Sequence, residues 1–132
     1  MKTLDIDKNS VGLASELFVI AHLLTQGFQA SLTFGKTKNI DILASLDDVG
    51  YSFQVKGAAR CKKNSKSVSW RIQSDSIKDH IWYVFVNLNL HKNKSNPGYY
   101  VLCGKCLKNI VGKRNYVYVS KIAEYEDNWD LD

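Results

Sequence analysis

The feature that most constrains the fold is a run of almost entirely apolar residues, IWYVFVNL, at positions 81–88. Successive side chains of a strand point to opposite faces of a sheet, so a strand without polar alternation has both faces covered. No stretch of the chain reaches the roughly 18 apolar residues that indicate a transmembrane helix. Positions 81–88 therefore predict a central strand in a sheet that is covered on both sides.

Shorter patterns on either side of this run predict the remaining elements. A helix is predicted over 11–26, with Asn9 or Ser10 as its cap and Gly27 ending it. Further strands are predicted over 28–34, 40–46, 51–58 and 99–102, with a hairpin turn over 46–50. Two more helices are predicted, over 75–80 with Ser74 as the cap and over 104–111, while 116–119 forms a short strand or a loop.

The first predicted helix has apolar residues at helical spacing, and these are expected to form its buried stripe. They are Leu13, Leu17, Ile20, Ala21 and Leu24. His22 lies opposite this stripe and is expected to be solvated.

The order of elements predicts an α/β fold with a mixed sheet of four to five strands and helices on both faces. The 132 residues are enough for one domain. We assign positions 1–123 to this domain and 124–132 to an acidic C-terminal tail, which holds five acids and no base. The tail either covers a basic surface or extends into solvent.

The charge of the chain is unevenly distributed. Lys and Arg number 18 against 13 Asp and Glu, a net charge of +5, and without the tail 18 bases face 8 acids. A basic body favours a polyanionic partner, most often nucleic acid, although a merely soluble basic protein is the alternative. The N-terminal segment lacks the apolar core of a signal peptide, and three cysteines fit a reducing compartment. We therefore expect a cytoplasmic protein that does not contact membranes.

Four polar residues occupy positions where apolar residues are expected. Glu16 lies at the edge of the predicted helix stripe, and Asp41 lies within an apolar strand. Gln54 and Lys56 are two residues apart on the next strand and so share one face. A buried carboxylate is costly unless it is paired, hydrogen-bonded or bound to a metal, and Mg²⁺ prefers such oxygen ligands. This pattern favours metal-assisted hydrolysis of a phosphodiester, with a lysine beside the metal.

The same residues resemble the motif of the PD-(D/E)XK nuclease superfamily, which includes restriction-endonuclease-like and Holliday-junction-resolvase-like enzymes. The resemblance covers about residues 10–60, with Glu16 on the opening helix, Asp41 in Asn-Ile-Asp-Ile, and Gln54-Val-Lys56 after a hairpin. It implies an αβββαβ core and a divalent-metal-dependent endonuclease that hydrolyses DNA. Glu16, Asp41 and Gln54 would then hold Mg²⁺ or Mn²⁺, and Lys56 would be catalytic.

Two positions depart from the family motif. Gln54 stands where the family has an acid, and Ile40 stands where a proline often precedes the aspartate. A glutamine can coordinate a metal through its side-chain oxygen, but the site then has one negative charge less. A catalytically inactive nucleic-acid-binding or interaction module is therefore the alternative to an active enzyme. We also expect a homodimer, because cutting both strands of DNA needs two active sites.

Basic side chains near the motif are expected to contact the DNA phosphates that flank the scissile bond. They are Lys36, Lys38, Arg60, Lys62, Lys63, Lys66 and Arg71. Trp70, next to Arg71, either stacks on a base or packs beneath the basic loop.

A CxxC motif, Cys103 to Cys106, lies between a predicted strand and a predicted helix. This context indicates a thiol oxidoreductase as a less favoured function, although the only proline precedes the motif, unlike in thioredoxin-like sites. A zinc site would need further ligands, such as Cys61 with His80 or His91. Ordinary packing of the two cysteines is the remaining interpretation.

Overall fold

The computed structural model describes residues 6–33, 39–59, 68–91 and 94–131. The helices in this part of the chain are α1 (Lys8–Thr25), α2 (Gly104–Val111) and α3 (Val119–Ile122). The strands are β1 (Gln29–Leu32), β2 (Ile42–Leu46), β3 (Val49–Ala58), β4 (Ser69–Arg71), β5 (Ile81–Asn87), β6 (Gly98–Cys103) and β7 (Tyr116–Tyr118). None of the described helices combines the length and the hydropathy that a membrane crossing requires.

Five of the strands form one sheet in the order β1-β2-β3-β5-β6. β3 and β5 run parallel, and the other neighbouring strands run antiparallel. β5 lies between β3 and β6 and is buried along its length except at the half-buried Trp82. The mixed α/β sheet is therefore confirmed, and the apolar run is an interior strand buried on both faces, although β3 and not β5 is the middle strand of the sheet.

The predicted hairpin joins β2 to β3 through Asp47 and Asp48 alone. Both residues have positive φ, 51° and 65°. Two consecutive left-handed residues form the type of two-residue turn that matches the twist of an antiparallel hairpin, and Asp tolerates this conformation. The sequence pattern predicts that Asp41 lies within the second strand. β2 begins at Ile42, so Asp41 instead lies just before this strand.

The sheet has an apolar core on each face, which confirms the prediction of helices on both sides. One core contains α1 with Phe53 and Val55 of β3 and Val84 of β5. The other contains α2 with Tyr83 and Phe85 of β5. Alternate residues of β5 thus supply both cores, as the period of a strand requires.

The predicted buried stripe of α1 is wrong. Leu13, Leu17 and Leu24 are 50%, 50% and 53% exposed, and Ala21 is also exposed, whereas Ile20 is only partly buried. The side of the helix that meets the sheet consists of Val11, Ser15, Val19 and Leu23. Apolar residues surround most of this helix, so periodicity alone does not select the face that is buried.

The start of α1 also differs from the prediction. The helix begins at Lys8, because the Asp7 side chain is the cap and accepts a hydrogen bond of 2.8 Å from the Ser10 backbone N–H. Gly27, with φ of 94°, ends the helix as predicted, since this conformation favours glycine.

The segment between β3 and β5 contains less helix than predicted in its described part. The helix expected over 75–80 with Ser74 as cap is instead a single 3₁₀ turn, Ser74–Ser76, without a side-chain cap. β4 was not predicted, and it pairs with β7 in a separate two-stranded sheet. Trp70 of β4 is buried, and its Nε1–H donates to the Val86 carbonyl at 3.1 Å, so the packing interpretation of this residue is confirmed.

The acidic C-terminal segment lies against β6. The backbone N–H of Asp127 donates to the Tyr99 carbonyl at 2.9 Å, and Trp129 and Leu131 are buried in the core. The His22 ring packs against Tyr99 and Trp129, with ring centroids 5.1 and 4.7 Å apart, so the prediction that His22 is solvated is wrong. The segment therefore buries apolar side chains while its acids Glu124, Glu126, Asp127 and Asp130 remain exposed.

Gly57 determines how closely α1 approaches β3. A Cβ atom built at this glycine would collide with the Ser15 hydroxyl and would lie 3.2 Å from the Val11 carbonyl oxygen. We expect Gly57→Ala to lower the free energy of unfolding by about 1–3 kcal/mol, because the helix must shift outward. Urea denaturation followed by circular dichroism measures this loss.

Gly50→Ala is the matched control, because a Cβ atom at Gly50, on the same strand, meets nothing within 4 Å. Equal losses in the two variants would contradict the role of close helix–strand packing at Gly57.

Candidate active site

Glu16 and Asp41 come together in the fold, although 24 residues separate them in the chain. Burial raises the pKa of Glu16 to about 7, and repulsion by the Asp41 carboxylate and a hydrogen bond to it add to this shift. Glu16 lies on α1 beside the helix face that meets the sheet, and it is half-buried. The leucines of the stripe at whose edge the sequence pattern placed it are exposed. A carboxyl group whose pKa is raised by burial and by a specific charged neighbour is a feature of functional sites.

Asp41 occupies the point where β2 and β3 stop pairing. The last pair of the described ladder is Ile42 with Phe53, while β3 continues to Ala58. The Asp41 backbone N–H donates to the Phe53 carbonyl, and its Oδ2 accepts from the Val55 N–H, both at 2.8 Å. Asp41 Oδ2 thus accepts the hydrogen bond that a carbonyl of the neighbouring strand would otherwise accept. This bond holds the Asp41 carboxylate against β3.

Gln54 and Lys56 flank Val55, the residue that binds Asp41. Phe53, Val55 and Gly57 face the α1 side of the sheet, so the alternation of the strand places Gln54 and Lys56 on the opposite face. Gln54 is 9% exposed and Lys56 is half-buried. The two residues share one face of β3, as predicted, and Asp41 is bonded to the backbone between them.

Lys56 lines an open cavity of about 560 Å³ between the start of α1 and the end of β3. Two further cations, Lys8 and Arg71, also line this cavity. Glu16 and Asp41 are outside this lining, and Glu16 lies about two helical turns along α1 from Lys8. The short segment from Gln54 to Lys56 therefore connects the two features. Asp41 is hydrogen-bonded to Val55, and Val55 and Lys56 line the basic cavity.

The two carboxylates at this position are ligands of the kind that Mg²⁺ takes in proteins. The described residues contain no group of three or more His, Cys, Asp and Glu side chains, so a site made only of such ligands is absent there. Mg²⁺ usually binds one or two protein carboxylates and completes its shell with water and substrate phosphate. Glu16 and Asp41 supply two carboxylates, and their repulsion is the unfavourable term that a divalent cation relieves.

Only one of the predicted phosphate-binding residues is within the described part of the chain. Arg71 is exposed at the end of β4 and lines the Lys56 cavity, as an anion contact requires. The others lie outside the described residues: Lys36, Lys38, Arg60, Lys62, Lys63 and Lys66. Sequence reasoning missed Lys8, whose position could have been inferred only if Val11 and Ser15 had been identified as the buried side of α1.

The two cysteines lie at the predicted junction of a strand and a helix. Cys103 caps α2, its Sγ accepting from the Cys106 N–H at 3.4 Å, and the two sulfur atoms are 3.2 Å apart as free thiols. The hydrogen bond to Cys103 and burial raise the pKa of Cys106, which makes its reactive thiolate scarcer at neutral pH. Cys61 lies outside the described residues, and the oxidoreductase interpretation stays a prediction.

Comparison with known proteins defines the class of the fold. No family model and no curated protein matches the chain. Among solved structures, the mixed sheet flanked by helices is similar to that of a nuclease. That structure is the bacterial homing endonuclease I-Ssp6803I, with a TM-score of 0.71 over 95% of this chain and 90% of the other. The two sequences are 12% identical, so the similarity concerns the fold.

The raised pKa of Glu16 predicts a pH-dependent stability for the metal-free protein. Because the folded-state pKa lies above the ordinary value of 4.5, the stabilising contribution of the protonated group is complete below about pH 4.5. It is lost as the pH rises through about 7. Glu16→Gln cannot ionise, so urea denaturation in EDTA should show the variant gaining stability relative to wild type across this interval.

The exposed Glu124 provides the control for this titration. Glu124→Gln should follow wild type across the same interval. Parallel curves for wild type and Glu16→Gln would contradict the raised pKa of Glu16.

Proposed function

We propose that this protein is a divalent-metal-dependent endonuclease that hydrolyses DNA phosphodiester bonds at a PD-(D/E)XK-type site. The observation that carries the proposal is the Glu16–Asp41 carboxylate pair, in which Asp41 accepts a hydrogen bond from the Val55 backbone N–H between Gln54 and Lys56. The similarity of the fold to a homing endonuclease supports the nuclease class. The order of the four residues along the chain supports the specific motif.

Glu16, Asp41 and Gln54 would hold Mg²⁺ or Mn²⁺ in this site. A bound divalent ion supplies a more acidic water and stabilises negative charge on the phosphate under attack. The protein contributes the position of the ligands: the Val55 N–H orients Asp41, and the packing of α1 on Gly57 places Glu16 beside it.

Lys56 is the proposed catalytic cation. Its ammonium group can orient the attacking water and neutralise the charge that develops on the phosphate oxygens. Lys8 and Arg71 line the same cavity, so a nucleic-acid backbone meets three positive charges there. Oriented charges in a concave site attract phosphates and hold them in register.

A cleavage panel tests the proposed activity. Linear duplex, single-stranded, nicked and four-way-junction DNA are incubated with the protein and Mg²⁺ or Mn²⁺, with EDTA as the metal-free arm. We expect cleavage of at least one substrate with metal only, and a rate on the order of 10²-fold or more lower for Lys56→Ala, because a charge-stabilising group is lost.

Lys105→Ala is the matched control, since Lys105 is an exposed lysine on α2 that is absent from the cavity lining. If no DNA is cut, a DNA-binding assay tests the inactive binding module, and calorimetric titration with Mn²⁺ tests the metal ligands. A protein that binds DNA but cuts none supports the inactive binding module, which the substitution of an acid by Gln54 favours. Mn²⁺ binding that survives in Asp41→Asn would overturn the metal ligands proposed here.

We further propose that the protein forms a homodimer through the outer side of α1. Leu13, Leu17, Ile20 and Leu24 recur at intervals of four, three and four residues, which is the spacing of helices that pack in pairs. The three leucines of this stripe are half exposed, and a second copy of the helix would cover them. Two subunits would supply the two active sites that a double-strand cut requires.

Leu17→Glu should convert the dimer into a monomer, because it places a charge in the centre of the proposed contact. Sedimentation equilibrium measures the mass. Leu43→Glu, at a leucine of β2 that is 49% exposed, should leave the mass unchanged. A monomeric wild type, or a dimeric Leu17→Glu variant, would contradict this arrangement.

A further inference from the structure

The two-stranded sheet of β4 and β7 presents an unusual outer face. Its pairs are Ser69 with Tyr118, Trp70 with Val117, and Arg71 with Tyr116. The central pair is buried in the core, and the other four side chains are exposed. The middle residues of this two-stranded ribbon, β4 and β7, thus pack in the core. The outer face of the ribbon carries two tyrosines, an arginine and a serine.

The exposed tyrosines are the first sign of a binding surface. Tyr116 is 52% exposed and Tyr118 is 46% exposed, although both side chains are large and carry apolar rings. Tyrosine combines a planar ring with a hydroxyl group, so it contacts sugar, base and phosphate groups without a large entropy cost. Tyrosine is among the side chains that, together with Arg and Lys, hydrogen-bond the phosphates and sugars of duplex DNA.

The charges around the ribbon are predominantly positive. A groove of about 640 Å³ runs beside it, lined by Arg71 and Lys113 with the polar side chains of Gln73, Ser74 and Asn115. Asp75 is the acid in this lining. The exposed Arg114 follows Lys113 in the turn that leads to β7. Cations held on a polar surface complement the phosphates of a nucleic-acid backbone.

The ribbon is continuous with the proposed catalytic cavity. Arg71 lines both the ribbon groove and the cavity that contains Lys56. Trp70 fixes β4 to the main sheet through its bond to the Val86 carbonyl, so the two surfaces are held in a constant relative position. A nucleic acid bound at Lys56 would therefore reach the ribbon through Arg71.

From these observations we infer that the outer face of the β4–β7 ribbon is a second DNA-contacting surface, which binds duplex DNA beside the scissile phosphodiester. The inference rests on the proposed endonuclease function. A two-stranded ribbon fits the major groove of duplex DNA, which is about 12 Å wide. Arg71, Lys113 and Arg114 bind phosphates, and Tyr116 and Tyr118 contact sugars and base edges.

Fluorescence anisotropy with a labelled duplex in EDTA tests this surface while cleavage is suppressed. Tyr116→Thr combined with Tyr118→Thr keeps β-forming residues in the strand, and we expect duplex binding about 10–100-fold weaker, because the contacts of two tyrosine side chains are lost. Lys113→Ala should reduce the slope of log K against log salt concentration by about one, because one phosphate contact is lost. Lys105→Ala is the matched lysine control, and thermal melting checks that each variant is folded.

The outcomes separate this inference from the proposed function. Unchanged duplex binding by the tyrosine variant, in a protein whose wild type binds and cuts DNA, overturns the ribbon surface alone. Loss of binding to single-stranded DNA with intact duplex binding also overturns it. A change in sedimentation mass without a change in DNA binding identifies the ribbon as a protein contact instead. A wild type that neither binds nor cuts DNA overturns the proposed function together with this inference.

Discussion

The hydrogen bond from the Val55 N–H to Asp41 Oδ2 is the contact on which the candidate site depends. β2 and β3 pair up to Ile42 and Phe53, and beyond this pair β3 continues while the chain of β2 turns away. A backbone N–H at such a divergence needs an acceptor, because an unpaired buried donor costs about 1–3 kcal/mol. Asp41 supplies the acceptor, and a carboxylate is thereby fixed beside Gln54 and Lys56.

The remaining parts of the site follow from how α1 packs on this region. Gly57 permits a close approach of the helix, and this approach brings Glu16 to Asp41. Burial, and then the neighbouring Asp41 carboxyl group, raise the pKa of Glu16. The same packing places Lys8, at the start of the helix, in the cavity with Lys56 and Arg71. The site thus combines a pair of neighbouring carboxyl groups with a basic cavity.

Much of the local structure could be predicted because it depends on neighbouring residues. The apolar run of β5, the hairpin at Asp47 and Asp48, and α2 lie where their patterns indicate. Glu16, Asp41, Gln54 and Lys56 were selected as polar residues in apolar surroundings, and Glu16 and Asp41 do interact. The prediction could not include β4, because a three-residue strand has no periodicity and forms only by pairing with the distant β7.

The sequence by itself determined the class of the fold, the central strand and the order of the four motif residues, since these follow from hydrophobic patterning and local spacing. The tertiary structure alone decided which side of α1 is buried, because a helix that is apolar on most sides carries no local signal for one face. It also decided that β4 meets β7 to display Tyr116 and Tyr118, and that Trp129 returns to pack on His22. Such contacts join residues far apart in the chain, and their free energy depends on shape and burial that short sequence patterns do not encode.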